Sequence, residues 1–220
     1  RGKRALEDYF DISYELEDQI SGTNKENLLV EIRDLMASCT FTFTRQNTMR
    51  GLGDAINKGK MLVGDEAFGV ILADDLCINE DGIGVMAQMR DIYEKYRCSI
   101  VAVMEVEKEQ ISNYGVIEGK EIGDGLIMVN NMVEKPNPQD APSNLAIIGR
   151  YILTPQIFNF LDHTAPGKNG EIQITDALLR QAQDNIVIAY KFKGRRFDCG
   201  SVNGFVEATN YFYGLQDGKK

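Results

Sequence analysis

Two adjacent carboxylates close an apolar run in FGVILADDL, residues 68–76. A short, continuous apolar segment reads as a strand covered on both faces, so Asp74 and Asp75 would stand at its carboxyl end. Asp198, in RRFDCGS, takes a similar place between a strand-like stretch and the last helix-like one. Ligands of open α/β sheets sit at the carboxyl ends of strands. Two carboxylates from separate strand ends suit Mg²⁺, which wants octahedral oxygen ligation, keeps several waters and takes further oxygens from phosphates. A plainer reading has Asp74 opening a turn and Asp198 capping a helix.

Other stretches offer recognition chemistry. In QNTMRGLGD, Gln46 carries an amide that can pair with the edge of a base, and Gly51 and Gly53 would let the backbone approach a ring closely. The same glycines also read as a simple turn. In MVEKP, Glu134 suits sugar hydroxyls and Lys135 suits a phosphate. Neighbours in a strand point to opposite faces, so both reach one ligand only if the strand ends there, as Pro136 allows; otherwise they form a solvated charge pair. SNYGVIEG and SNLAIIGRY place Gly115 and Gly149 where a bulge or a backbone–ligand approach would fall. The basic cluster Lys191, Lys193, Arg195 and Arg196 reads as a solvated strand edge or a phosphate attractor. His163, the single histidine, lies in a loop-like segment and reads as a surface residue.

The elements that must position these groups follow from periodicity. Helical spacing is expected in RALEDYFD, KENLLVEIRDLMASC, AINKGKMLV and GVMAQMRDIYEKY. TFTFTRQ (40–46), FGVILAD and CSIVAVMEV read as strands, and the alternation argues for an α/β sheet with helices on both faces. Residues 114–136 read as an antiparallel excursion and SNLAIIGRYIL as a further strand. Pro155 is expected to open a short helix, Thr175 to cap the helix of EIQITDALLRQAQD, and Ser201 to cap the closing helix. NIVIAYKFKGRRFDCG reads as a long strand or a bent pair.

Composition narrows the functional class. The chain has 220 residues, 43% hydrophobic and 26% charged, which fits a globular protein. A net charge of −9 argues against broad nucleic-acid binding, and no apolar run has the length of a membrane span. Four cysteines without CxxC spacing, and no signal-peptide pattern, read as reduced cytoplasmic thiols, not a disulfide frame or zinc site.

Taken in order, RALEDYFDISYELE, RQNTMRGLGDAI, FGVILADDL, SNYGVIEG, MVEKPNPQDAPSNLAIIGRYIL, GEIQITDAL and RFDCGSVNGFVEA resemble bacterial UTP–glucose-1-phosphate uridylyltransferases. The resemblance covers essentially the whole chain, and VEKP with SNLAIIGRY and EIQITDAL is its specific part. It implies a three-layer α/β/α, Rossmann-like mixed sheet with a β-rich insertion, forming one domain over 1–220. It implies the reaction of UTP with glucose 1-phosphate to UDP-glucose and pyrophosphate, in the cytoplasm, by a homodimer or homotetramer. Gln46 and Gly51 match the uracil-reading pair, and Gly53 completes that loop. Asp74 and Asp198 match the two Mg²⁺ ligands, while Asp75 receives no role. Gly115 matches a backbone contact to the hexose, Glu134 the carboxylate on the sugar hydroxyls, and Lys135 the lysine on the sugar phosphate. Gly149 lies where the strand passes the sugar, and Glu171 and Asp176 are architectural. These 220 residues lack the family's first strand and its Gly-x-Gly-Thr-Arg phosphate loop, so the N-terminal part of the fold is expected to be missing. Competing readings are a dTTP-dependent or other sugar-1-phosphate nucleotidyltransferase, and a non-catalytic nucleotide-sugar binding domain.

Overall fold

The computed structural model describes residues 4–80, 82–167, 170–184 and 186–217. Where one domain over 1–220 was expected, the contacts divide the chain into two compact units, one through Arg45 and one from Gln46 onward.

The first unit is helical, with α1 (Arg4–Tyr9), α2 (Tyr14–Ile20) and α3 (Val30–Ser38). Arg33 ties α3 to Glu17 and Glu26, and Phe10 stacks on Phe41 at 4.4 Å. The strand expected at 40–46 does not form. Threonine and phenylalanine favour strands only where a partner strand packs against them, and no described residue pairs with this stretch.

The second unit opens with α4 (Leu52–Asn57) and α5 (Lys60–Val63), then runs β1 (Phe68–Ile71), β2 (Asp75–Ile78), α6 (Val85–Tyr96) and β3 (Ser99–Glu105). There follow β4 (Gly115–Gly123), β5 (Leu126–Glu134), β6 (Leu145–Leu153), α7 (Ile157–Asp162), α8 (Ile174–Asp184), β7 (Val187–Lys191), β8 (Arg195–Asp198) and α9 (Val202–Asp217). Six strands form a mixed sheet in the order β1-β6-β3-β7-β5-β4, in which only β3 and β7 run parallel.

The sequence of β3 shows why the sheet has helices on both sides. Val101 and Val103 face one way, into a core with Ile157, Phe158 and Leu161 of α7 and Ile174, Ala177 and Leu178 of α8. Ile100 and Ala102 face the other way, against Val85 and Met89 of α6. Each such aliphatic side chain contributes roughly 1.5–3 kcal/mol on burial, and a strand that spends both faces this way reads as an unbroken apolar run. The β4–β5 hairpin is the expected antiparallel excursion. Leu126–Met128 pair with β7 and Val116 pairs with Ala146 of β6, with a bulge at Glu118/Gly119. A Cβ on Gly119 would stand 2.2 Å from the Met128 carbonyl oxygen, which explains the glycine there.

Some expectations shift by a few residues. Pro155 lies in the turn before α7, not in it. Thr175 is the second residue of α8 and caps nothing; its hydroxyl points elsewhere, as described below. Ser201 does cap α9, its Oγ accepting the Gly204 N–H at 3.1 Å. In α9, Tyr211 and Phe212 pack on Phe197, whereas Val202, Phe205, Val206 and Tyr213 are exposed. The stretch 185–200 splits in two: β7 joins the large sheet, and β8 pairs with β2 in a separate two-stranded ribbon. Asn185 itself lies outside the described residues.

Candidate active site at the β2–β8 ribbon

The ribbon brings distant carboxylates together. Asp75 and Asp198 are directly opposed in its antiparallel register, and the Cys199 N–H donates to the Asp74 carbonyl at 2.7 Å. Asp74 Oδ2 and Asp198 Oδ1 each stand 3.1 Å from the point a Cβ on Gly200 would occupy, so the two oxygens lie within about 6 Å of one another. Asp74 is exposed and Asp198 half-exposed. Glycine at 200 leaves open the space between them.

Asp75 faces the other way. Its carboxylate is buried, accepts the Gly149 N–H at 2.5 Å and pairs with Arg196, whose side chain is only 8% exposed. Arg196 therefore does not belong to the solvated edge on which Lys191 and Arg195 form exposed pairs with Glu105 and Glu207. Its guanidinium also donates to the Tyr114 hydroxyl at 2.9 Å and lies 3.5 Å from Asp198 Oδ2. Burial opposes the charge on Arg196, yet Asp75 and Tyr114 outweigh it and hold the guanidinium protonated above its ordinary range. Arg150, also buried, donates to the carbonyls of Leu72, Gly149 and Asp75 and so fixes the turn that carries Asp74. A bulge in β6 makes this contact feasible: residues 148–150 face the single residue Ala102 of β3. A Cβ on Gly149 would meet Asp75 Oδ2 at 2.5 Å and Leu72 Cβ at 2.6 Å, so the chain's own packing demands glycine.

A second group gathers where β5 ends. Gly115 and Glu134 are cross-strand partners, and a Cβ on Gly115 would stand 3.0 Å from Glu134 Oε2. The Thr175 hydroxyl donates to that same oxygen, fixing one side of the carboxylate and leaving Oε1 4.0 Å from Lys135 Nζ. The strand does end here. Pro136 disfavours the right-handed helical region for the preceding residue, and Lys135 takes a positive φ of 45° instead. Its side chain thereby comes to the same side as Glu134. Tyr114 links the two groups: its carbonyl accepts the Lys135 N–H at 3.0 Å, while its hydroxyl holds Arg196. Tyr151 is buried, and its phenol is pushed up by that burial and by the carboxylates of Glu134 and Asp75.

The loop of Gln46, Gly51 and Gly53 packs on the EIQITDAL segment. The Ile172 N–H donates to the Arg50 carbonyl at 2.7 Å, and the Gly53 N–H to the Ile172 carbonyl at 2.9 Å. A Cβ on Gly51 or on Gly53 would meet the Ile172 carbonyl oxygen at 2.9 or 2.7 Å, and Gly51 has a φ of 89°. Gln46 donates its amide to Gly51 and Asp54. His163 is exposed, its Nδ1 2.7 Å from the Asn159 carbonyl, and all four cysteines are free. Sequence reasoning missed Arg150 and Tyr114 and misread Arg196 and Thr175. A basic run and a helix-start threonine carry no local mark of burial, and only the sheet register reveals them.

Carboxylate oxygens are the donor type a hard divalent cation takes. Among the described residues no third Asp, Glu, His or Cys joins the pair, which leaves positions for water and phosphate oxygens, as Mg²⁺ requires. A three-layer sheet that pairs such carboxylates with a neighbouring Glu–Lys couple has the build of a phosphate-transfer enzyme. Residues 12–213 match the family model described as nucleotidyl transferase, and the chain belongs to that family. Within it, the chain is 66% identical over 213 residues to the UTP–glucose-1-phosphate uridylyltransferase of Pseudomonas aeruginosa, covering 97% of itself and 76% of that relative. Among solved structures it is similar to an apo UDP-glucose pyrophosphorylase, at 58% identity and a TM-score of 0.95, covering 98% of itself and 79% of that chain. It is also similar to a UDP-glucose pyrophosphorylase complexed with UDP-glucose, at 56% identity and a TM-score of 0.91, covering 98% of itself and 78% of that chain. Among the described residues no helix is long and apolar enough to cross a membrane.

Proposed function

We propose that this chain transfers a uridylyl group from UTP to glucose 1-phosphate, giving UDP-glucose and pyrophosphate. The observation that carries the reading is the approach of Asp74 and Asp198 across Gly200, in a chain 66% identical to a uridylyltransferase. An oxygen of the sugar phosphate forms a bond to the α-phosphorus as the bond to the bridging oxygen of pyrophosphate breaks. That nucleophile is already ionised at neutral pH, so no base is required, consistent with an exposed His163.

The work left to the protein is positioning and charge neutralisation. Lys135, held beside Glu134, would draw in the sugar phosphate against its like-charged target. Glu134, fixed by Thr175, would accept hydrogen bonds from the sugar hydroxyls. Gly115 would let the hexose lie against the backbone. At Gly149 the N–H and carbonyl are already committed to Asp75, Leu72 and Arg150, so it would offer only close approach. Gln46, Gly51 and Gly53 would take the base. Asp74 and Asp198 would hold Mg²⁺, which when bound polarises the α-phosphate. The proposal extends to a cytoplasmic enzyme and to a homodimer or homotetramer, for which the exposed apolar residues of α9 would offer a contact.

Asp74→Ala and Asp198→Ala test it. Each is expected to lower UDP-glucose synthesis by roughly 30- to 1,000-fold, the effect of losing about 2–4 kcal/mol of transition-state stabilisation, with circular dichroism unchanged. Near-normal synthesis by either variant removes the assignment. A dTTP-dependent enzyme is the alternative, since one methyl is worth only about 1–3 kcal/mol in a pocket, and kcat/KM for UTP against dTTP decides it.

A further inference from the structure

Gln46 has no amide hydrogen to spare. Its Nε2 donates to Asp54 Oδ2 at 2.7 Å and to the Gly51 carbonyl at 3.1 Å, and an amide nitrogen carries two hydrogens. Turning the amide over would set Oε1 against a carboxylate and a carbonyl, acceptor against acceptor, so the neighbours dictate the orientation. Asp54 is itself immobilised. It is 3% exposed, accepts from Arg50 Nη2 at 2.9 Å on its other oxygen and has Lys58 at 3.7 Å. Its carboxyl is held below the usual range, chiefly by the Gln46 hydrogen bond and then by Arg50. Gln46 is left with one group to offer a ligand, the acceptor Oε1.

Building on the reading of Gln46 as the residue that meets the base, we propose that Asp54 is a specificity-positioning residue. It locks the Gln46 amide so that an acceptor faces the nucleobase, which selects pyrimidines carrying an N3–H, uracil and thymine, over cytosine. Uracil donates its N3–H to that oxygen. Cytosine has a lone pair at N3 and would meet Oε1 lone pair to lone pair. A free glutamine could serve either base by rotating its amide; a locked one cannot. The same logic explains why Gln46 alone does not separate UTP from dTTP.

Steady-state rates with UTP and CTP, at saturating glucose 1-phosphate, test this on the parent and on Asp54→Leu, Asp54→Asn and Gln46→Ala. Asp54→Leu is expected to reduce the UTP/CTP ratio of kcat/KM by about tenfold or more, mostly through KM. Asp54→Asn keeps an oxygen for the Gln46 amide and should preserve the ratio within about threefold. Gln46→Ala should collapse it. If Gln46→Ala leaves the ratio intact, the base-reading assignment fails. If Gln46→Ala collapses the ratio and Asp54→Leu does not, the role given to Asp54 is overturned. Should Asp54→Leu not fold, Asp54→Ala takes its place with the same two outcomes, and turnover of 3-methyl-UTP, which lacks the N3–H, equal to that of UTP in the parent refutes the base-reading premise.

Discussion

Replacing Arg196 by methionine should cost more stability than any surface charge change in this chain. Arg196 and Asp75 are 8% and 7% exposed in their side chains, so neither ion recovers its hydration when the other is removed. Breaking a buried pair from one side typically costs about 3–5 kcal/mol, because the remaining charge is stranded. Among the described residues, Asp75 would keep the Gly149 N–H as its one close donor. Urea unfolding at pH 7, followed by circular dichroism and extrapolated linearly, measures the loss. The control is Lys191→Ala, which breaks the pair with Glu105, exposed by 44% and 58%; exposed pairs are worth about 0–1 kcal/mol. Asp75→Asn combined with Arg196→Met should lose less than the sum of the single changes, since the double variant strands no charge, with coupling of about 0.5–3 kcal/mol. Raised salt should weaken the Lys191 effect and leave the Arg196 effect nearly intact. An Arg196→Met loss below about 1 kcal/mol, or strict additivity in the cycle, would refute the claim that this pair anchors the ribbon.

Gly200→Ala places a methyl 3.1 Å from both Asp74 Oδ2 and Asp198 Oδ1; it should weaken Mn²⁺ binding measured by electron paramagnetic resonance while changing the unfolding free energy by less than about 1 kcal/mol. Asp54 has a folded pKa below its ordinary 3.8, so the stability it adds is present above that value and is lost as pH falls through the folded pKa. The difference in unfolding free energy between the parent and Asp54→Asn should therefore hold steady above pH 5 and narrow below about 3.8. Burial pushes the Cys98 thiol up to about 11, so a thiol reagent at pH 8 should modify exposed Cys39 rapidly and Cys98 only on unfolding.

The large sheet was legible because its strands are short apolar runs, buried on both faces in β3 but on one face only in β1, where Ile71 is 60% exposed. FGVI and SIVAVME are apolar runs too short for helices, and the Gly-rich turn at 123–125 marked the β4–β5 hairpin. Asp198 was legible as a strand-end acid, whereas Asp74 lies in the turn that follows β1, as its plainer reading had it. The β2–β8 ribbon was not, because DLCI and RRFD mix charges with apolar residues and show no clean alternation. TFTFTRQ misled for the opposite reason, since its local propensity has no partner strand to satisfy it. Arg196 was misread because a buried arginine and an exposed one look the same in a basic run; only the acid opposite tells them apart.

That acid also answers why two aspartates stand side by side where the turn after β1 runs into β2. If both pointed outward, like charges would crowd one cation site, and the turn bearing them would lack an anchor. Asp75 instead turns inward, where the bulged N–H of Gly149 and the guanidinium of Arg196 absorb its charge. Arg150 gathers the carbonyls of the same turn. Asp74 is thereby left exposed with its backbone fixed, and the register that opposes Asp75 to Asp198 brings the second carboxylate alongside. The inner aspartate thus sets the place of the outer one.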